Sequence, residues 1–319
     1  MLVLVCISLM LGRYPIAPQD AFKMLFYHVL PIDVTWTEQA EILFYNVRLP
    51  RIIMALMVGA CLSAAGAAFQ GTFQNPLASP DILGASQGAA LGAAIAILMG
   101  LNAYSVSMMA FVFSMTTIII VFIISSRAKG NRIMVTVLAG VMVSSLFSSA
   151  VSFTKLVADP TDQLPAITYW LMGSLTSVRL EDDLIVFLPL LLGSTVLLAM
   201  RWKINVLTMG DDEAATMGVN ARAIRAIVAL AATLLTATCV SVTGMIGWVG
   251  LVIPHLSRMA IGADYRILMP TSMLMGASFL LLVDNVSRLA STSEIPIGIL
   301  TAFIGAPFFL YLITREKRK

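Results

Sequence analysis

The chain has 319 residues, of which 59% are hydrophobic and only 12% charged, and its formal net charge is +3. Its mean hydropathy is +0.93. Because soluble domains average about 45–50% apolar and about 25% charged residues, this composition excludes a disordered chain, a disulfide scaffold and an ordinary soluble enzyme, and indicates a protein embedded in lipid.

Apolar runs separated by charged or Pro/Gly-rich breaks predict an all-α membrane protein with about ten transmembrane helices in a single polytopic domain, residues 1–319. The predicted spans are residues 1–12, 47–69, 82–99, 105–125, 134–157, 184–200, 226–244, 246–260, 267–288 and 296–314. The first is shorter than a full span, so either the first helix is short or the sequence begins inside it. The eighth contains Pro254, which permits a broken helix.

Three segments outside the predicted spans have compositions that indicate what they form. Residues 13–46 include the amphipathic run QDAFKMLFYHVL, which predicts a surface helix, and residues 167–178 are apolar but too short to span, which predicts an interfacial helix. Residues 201–225 form a long polar connection. With the N-terminus inside, thirteen Lys and Arg lie inside and seven outside, so we expect both termini to be cytoplasmic, segment 13–46 outside and segment 201–225 inside.

Small residues recur at helical spacing in two of the spans. Gly84, Gly88 and Gly92 form a GxxxGxxxG pattern, and Gly59 and Gly66 lie on one face of the second span. Such faces allow helix backbones to approach closely in lipid, which predicts a tightly packed bundle.

Four motifs follow one another along the chain: Asn46–Gly92 with NPLASPDILG, Leu207–Gly218 (LTMGDDEAATMG), Gly250–Arg258 (GLVIPHLSR) and Glu294–Pro307 (EIPIGILTAFIGAP). Together they resemble the FecCD family, the membrane permease subunits of bacterial ABC importers for ferric siderophores, haem and cobalamin. The resemblance implies an ABC type II importer permease fold, with ten transmembrane helices, both termini cytoplasmic and segment 13–46 in the periplasm.

The resemblance also implies the partners. These are two ATPase subunits, a second permease (the same chain or a homologue) and a periplasmic or lipid-anchored substrate-binding protein, with no role for nucleic acid. The sequence contains no G-x-x-x-x-G-K-[ST] motif, so ATP hydrolysis must come from another polypeptide. We therefore expect no catalytic residue, metal or cofactor in this chain, with ATP and Mg²⁺ used by the partner ATPase.

Three arginines lie at the predicted outer ends of spans: Arg48, Arg51 and Arg288. In the family, arginines at these positions dock acidic residues of the binding protein, and a planar guanidinium suits a carboxylate partner. The alternative is interfacial snorkelling, with Arg288 paired to Asp284 one helical turn earlier.

A short acidic-then-small segment between two glycines corresponds to the family's ATPase-coupling region. Its residues are Gly210, Asp211, Asp212, Glu213, Ala214, Ala215 and Gly218. Acidic residues suit the first turn of a helix, and small residues permit close contact with a partner. The alternative is a solvated, capped loop.

Two prolines, Pro76 and Pro80, force non-helical backbone after the second span. The resemblance assigns Asn75, Pro76 and Leu77 to a cytoplasmic gate, and loop 127–134 more loosely to a second gate. A plain turn between helices is the alternative.

The fifth span carries serines on one face: Ser144, Ser145, Ser148, Ser149 and Ser152. Such a face either packs against another helix or lines a wet path, and the resemblance favours pathway lining.

The sequence thus predicts a permease of an ATP-driven importer in the bacterial inner membrane, carrying a ferric siderophore or similar iron chelate. Cobalamin or haem is the alternative cargo. An ion-coupled secondary transporter is the alternative of another class, but it would need paired intramembrane acids, and the central spans have few.

Overall fold

The computed structural model of the chain describes residues 1–12, 14–27, 31, 33–127, 132–291 and 293–316, and none of these is in a strand. In chain order the helices are α1 (Leu2–Met10), α2 (Pro18–Tyr27), α3 (Glu38–Leu43), α4 (Leu49–Thr72), α5 (Ala85–Leu98), α6 (Ala103–Arg127), α7 (Arg132–Val157), α8 (Gln163–Met172), α9 (Leu180–Leu207), α10 (Asp211–Thr216), α11 (Ala221–Thr243), α12 (Val249–Ile261), α13 (Tyr265–Leu289) and α14 (Ile297–Glu316). A π-helical turn, Phe44–Arg48, joins α3 to α4, and a 3-10 turn, Pro80–Leu83, precedes α5.

Each of the ten predicted spans coincides with one helix of this bundle: α1, α4, α5, α6, α7, α9, α11, α12, α13 and α14. Among the described residues, six helices are long and apolar enough to cross a membrane: Glu38–Thr72, Ala103–Arg127, Ile133–Val157, Leu180–Leu207, Ala221–Thr243 and Tyr265–Leu289. The chain is therefore a multi-pass membrane protein. Helices α5, α12 and α14 are apolar but shorter in their described parts.

Several predicted boundaries were wrong, for local reasons. Helix α9 runs well beyond the predicted 184–200 to Leu180–Leu207, because charged residues near its ends are compatible with a helix outside the apolar layer. Helix α8 ends at Met172, where Gly173 takes a φ of 71°. Helix α12 continues through Pro254 and is not broken there; the break lies before it, at residues 244–248.

The core is organised around two helices of small residues. Helix α4 packs against α9, α11, α12 and α13, and α5 packs against α6, α7 and α11, so that α11 joins the two groups. Nearly every residue of α4 from Ala64 to Thr72 is buried. Lipid offers no hydrophobic drive for helix association, so close packing and internal polar contacts must hold this arrangement.

Glycines set the spacing between the central helices. A Cβ added at Gly66 of α4 would lie 1.7 Å from the carbonyl oxygen of Gly250 in α12, and one at Gly59 would lie 2.3 Å from that of Gly276 in α13. In α5, a Cβ at Gly92 would lie 2.4 Å from the Met109 carbonyl oxygen of α6. The predicted close approach of helices is confirmed at these positions, because only a hydrogen fits there.

Candidate functional sites at the two ends of the helix bundle

A buried group of charged side chains, which we call the arginine cluster, lies where α4 begins: Arg48, Arg51, Asp284, Arg288 and Glu294. Arg51 donates from Nε to Asp284 Oδ1 at 2.8 Å and from Nη1 to Glu294 Oε2 at 2.7 Å. Arg288 Nε lies 3.2 Å from the other carboxylate oxygen of Asp284. The Asp284 side chain is 0% exposed, so its charge depends on these two partners.

The other contacts of the cluster fix the N-terminal helix. Arg48 donates from Nη1 to the carbonyl of Leu9 at 2.7 Å and from Nη2 to that of Tyr14 at 2.8 Å. Arg288 Nη2 donates to Ser8 Oγ at 3.0 Å. The Leu9 carbonyl is at the C-terminal end of α1, where helix carbonyls have no donor within the helix, so the Arg48 guanidinium satisfies it. Arg48 and Arg288 together hold α1 against α4 and α13.

All three arginines assigned to binding-protein docking are therefore buried and bonded inside this chain. The pair between Arg288 and Asp284, which the snorkelling alternative included, is present, whereas snorkelling itself stays untested. Docking itself stays a prediction. Sequence reasoning missed Glu294, which also accepts a hydrogen bond from Thr176 Oγ1 at 3.1 Å, because 243 residues separate it from Arg51.

The opposite end, which we call the α10 end, contains the ends of α4 and α9, the short helix α10 and the start of α11. Gly210 and Gly218 flank α10 with φ angles of 125° and 73°, which lie in the region that glycine adopts without strain. Of the residues in α10 only Ala214 is buried, and Asp212, Glu213 and Ala215 are exposed. The predicted coupling residues thus form one small helix with an accessible outer surface.

One arginine that the sequence analysis did not assign fixes this helix. Arg225 of α11 donates to both carboxylate oxygens of Asp211, at 2.5 and 2.7 Å, and from Nε to the Thr72 carbonyl of α4 at 3.1 Å. The hydrogen bonds from Arg225 hold the pKa of Asp211 below its ordinary value. We call these three residues the Asp211–Arg225 clamp; it connects α10 to the most buried helix of the bundle.

The clamp predicts an acid-sensitive position of α10. The folded-state pKa of Asp211 lies below its unfolded value of about 3.9. The stabilisation that the Asp211–Arg225 pair gives to α10 is therefore complete well above pH 3.9, and it is lost as the pH falls through the folded-state pKa. The Asp211 side chain is 56% exposed, so we expect at most about 1 kcal/mol. Asp211→Asn should weaken hydrogen-exchange protection of α10 at neutral pH and remove this acid dependence.

Asp212→Asn is the matched control for that experiment, because Asp212 is exposed and Arg225 pairs with Asp211 instead. It should retain the acid dependence of α10 protection. Equal protection in wild type and Asp211→Asn at neutral pH would contradict the clamp.

The predicted gate residues form the turn that ends α4. Gln74 takes a φ of 51°, the amide of Gln74 bonds to Gly71 O, and the amide of Asn75 bonds to Gln70 O, which is a Schellman arrangement with Pro76 directly after it. The Asn75 side chain accepts from the Leu77 amide at 2.9 Å, and Leu77 is 48% exposed. The gate prediction is not tested by this geometry.

Gln74 is the residue at this turn that sequence reasoning missed. Its Nε2 donates to the Leu207 carbonyl at 2.6 Å, which connects the end of α4 to the end of α9 just before α10. The turn that ends α4 is therefore attached to the end of α9, directly before α10. Of the second predicted gate loop, 127–134, residues 128–131 lie outside the described part of the chain.

The serine face of α7 is largely accessible. Ser145, Ser148, Ser149 and Ser152 are exposed and Ser144 is half-buried. A cleft of about 300 Å³ lies against Ser144, Ser145 and Ser148. Four of the five serines are therefore accessible at the surface of the described chain, and Ser144 lies beside Gly84 at the start of α5. Pathway lining remains a prediction.

A larger cleft of about 720 Å³ lies beside it, between the N-terminal ends of α5 and α12, the end of α8 and helix α14. Asp81 and Gln87 line both clefts, so they mark the place where the two cavities meet. Sequence reasoning assigned neither residue. Within the described residues, no group of three or more His, Cys, Asp or Glu side chains is placed to hold a metal ion.

Comparison with known proteins identifies the family. The FecCD transport family matches residues 1–315. The molybdate import system permease MolB of Haemophilus influenzae is 41% identical, over 98% of this chain and 92% of that protein, and an iron chelatin transport system permease of Helicobacter pylori is 40% identical, over 87% and 84%. A solved structure described as an inward-facing conformation of a metal-chelate type ABC transporter matches with a TM-score of 0.88 and 40% identity, over 98% of this chain and 96% of that one. Since the match extends over almost the whole sequence, the chain belongs to the FecCD transport family, and it is a membrane permease subunit of an ABC importer whose ATPase is a separate subunit.

Proposed function

We propose that this permease moves a ferric siderophore or similar iron chelate across the bacterial inner membrane. ATP and Mg²⁺ act in two partner ATPases, and a second copy or a homologue completes the permease. The observation that carries the importer mechanism is the exposed helix α10, fixed between two glycines and bound to the core through Arg225. A short helix on a rigid support can transmit movement of a partner subunit to the bundle.

The proposed pathway follows the two clefts. Ser144, Ser145 and Ser148 line one of them, with Ser145 and Ser148 exposed, and Asp81 and Gln87 line both. Uncharged hydroxyls let a bulky polar solute exchange hydrogen bonds without holding it tightly. Asn75, Pro76 and Leu77 would close the path at the α10 end, next to the coupling helix.

The proposed orientation places both termini and the α10 end in the cytoplasm, with ten membrane-crossing helices. The arginine cluster then lies at the periplasmic end, where a periplasmic or lipid-anchored binding protein docks. Because Arg48, Arg51 and Arg288 are buried, we propose that they fix the helix ends that the binding protein meets and become direct partners only if the cluster opens.

The coupling proposal predicts a specific defect for Gly218→Leu. A leucine at a φ of 73° costs about 1–2 kcal/mol of backbone strain, and its side chain projects where the ATPase would lie. We expect the assembled complex to hydrolyse ATP while transport falls about tenfold. The readouts are ATPase activity and uptake in the same proteoliposomes.

Gly100→Leu is the matched control, since Gly100 also has a positive φ, of 67°, and open space around its missing Cβ. It lies between α5 and α6, away from α10. Coupled transport should therefore survive in Gly100→Leu, and equal transport in the two variants would exclude α10 as the coupling helix.

The function itself is tested by reconstitution with the partner ATPase and candidate binding proteins. We expect hydrolysis to rise only with a binding protein loaded with its cargo, and uptake of a ferric siderophore to require ATP. Molybdate is the second cargo to test, because the MolB relative covers 98% of this chain; haem and cobalamin follow. Uptake driven by an ion gradient without ATP would support a secondary transporter instead.

A further inference from the structure

A second cavity at the α10 end is separate from the proposed pathway. It has a volume of about 680 Å³ and lies between α6, α7 and α11, within the size range of small-molecule binding sites. Its lining combines apolar, hydroxyl and charged side chains: Phe73, Ile119, Phe122, Ile123, Ile133, Ala226 and Leu230; Ser125, Ser126 and Thr136; and Asp211, Arg222 and Arg225.

On α11 and α6 the polar and the apolar lining residues occupy different parts of the helix. On α11 the lining runs from Arg222 at the helix start to Leu230, eight residues or about 12 Å further into the bundle. On α6 it runs from Ser126 at the helix end back to Ile119. On α6 and α11 the hydroxyl and charged groups therefore lie nearer the α10 end, and Ile119 and Leu230 lie further into the bundle.

One positive charge at the cavity has no ionic partner among the residues that the structure describes. Arg225 is held by Asp211 in the clamp. Arg222 is exposed, and no ion pair or hydrogen bond to it is found among the described residues. An unneutralised guanidinium above an apolar groove attracts an anionic group that brings a hydrocarbon chain with it.

We propose that this cavity binds an anionic phospholipid, with its phosphate at Arg222 and an acyl chain against Ile119, Ile123 and Leu230. These three apolar side chains are 44–49% exposed, so a lipid chain has direct access to them. The bound phosphate lies beside Arg225 and therefore beside the support of α10. An effect of the lipid on coupling rests on the proposed function, whereas lipid binding does not.

Native mass spectrometry of the full chain in detergent tests the site without ATPase or cargo. We expect phosphatidylglycerol to bind more tightly than phosphatidylcholine, and Arg222→Gln to weaken phosphatidylglycerol binding about fivefold with no change for phosphatidylcholine. Arg201→Gln is the control, because Arg201 is an exposed arginine at the same end that does not line the cavity. Equal phosphatidylglycerol binding in wild type and Arg222→Gln would overturn the proposal.

A second variant separates a lipid from a free anion. Ile123→Trp should fill the apolar half of the cavity and weaken phosphatidylglycerol binding while Arg222 remains in place. Inorganic phosphate should bind far more weakly than phosphatidylglycerol. If phosphate binds as tightly as the lipid and Ile123→Trp changes neither, the cavity is an ion site and the lipid proposal fails.

Discussion

Replacing Gly66 with valine should prevent the chain from folding into this bundle. The Cβ of any residue at position 66 would lie 1.7 Å from the carbonyl oxygen and 2.4 Å from the carbonyl carbon of Gly250. Both contacts are with backbone, so no side chain can rotate away. Helices α4 and α12 would have to separate, and we expect a cost of about 3 kcal/mol or more.

The proline in α12 strengthens this expectation. Pro254 has no amide hydrogen, so the Gly250 carbonyl lacks its usual helical donor. The Gly66 Cα lies against that carbonyl, where its hydrogen offers a weak Cα–H···O contact in place of the missing bond. Gly66→Val would thus remove the contact and create a clash at the same atom.

The yield of monodisperse protein in detergent and its thermal stability measure this effect. Gly247→Ala is the matched control, because nothing lies within 4 Å of a Cβ added at Gly247. A Gly66→Val protein that melts like wild type would mean that α4 and α12 are not in contact as described.

Replacing Asp284 with asparagine should destabilise the other end of the bundle. The change keeps the shape of the side chain but removes the charge that Arg51 and Arg288 share. Breaking a buried ion pair leaves an uncompensated charge in a dry site, which typically costs about 3–5 kcal/mol. Thermal unfolding of the purified chain should show this loss, together with faster hydrogen exchange in α1.

An exposed acid near the start of the same helix provides the control. Asp264 pairs with Arg266 at 2.9 Å, with side chains 37% and 58% exposed, and Asn can still cap α13, so Asp264→Asn should lower the melting temperature far less than Asp284→Asn. A variant that replaces Arg51, Asp284, Arg288 and Glu294 together with apolar residues should recover much of the stability, because it leaves none of these paired charges without its partner. Equal effects of the two asparagine variants would contradict the buried cluster.

The positions of the helices were largely predictable. Each apolar run became a helix because a backbone in lipid must satisfy its hydrogen bonds within the segment. The ends were less predictable, as α8 and α9 show. The apolar run at 167–178 predicted an interfacial helix, but the helix ends at Met172 because Gly173 follows it with a positive φ. The 28-residue length of α9 was underestimated because charged residues occur at both of its ends.

The candidate sites were predictable in part. The glycines around α10 and the prolines after α4 were visible because they impose backbone conformations locally. The clamp was not visible, since Asp211 and Arg225 are 14 residues apart in different helices. The position of Asp81 and Gln87 between two clefts was not visible either, because the clefts are formed by helices that are distant in the sequence.

The sequence by itself determined that this chain lies in a membrane as a helical bundle, which small residues hold tightly, and its motifs indicated the family. These properties depend on composition and on neighbours a few residues apart. Only the tertiary structure decided that Arg48, Arg51 and Arg288 are buried and bonded within this chain. Their acceptors include Asp284, 233 residues from Arg51, and Ser8, 280 residues from Arg288. A guanidinium has the same charge exposed or buried, and its role depends on which distant oxygens the fold brings to it.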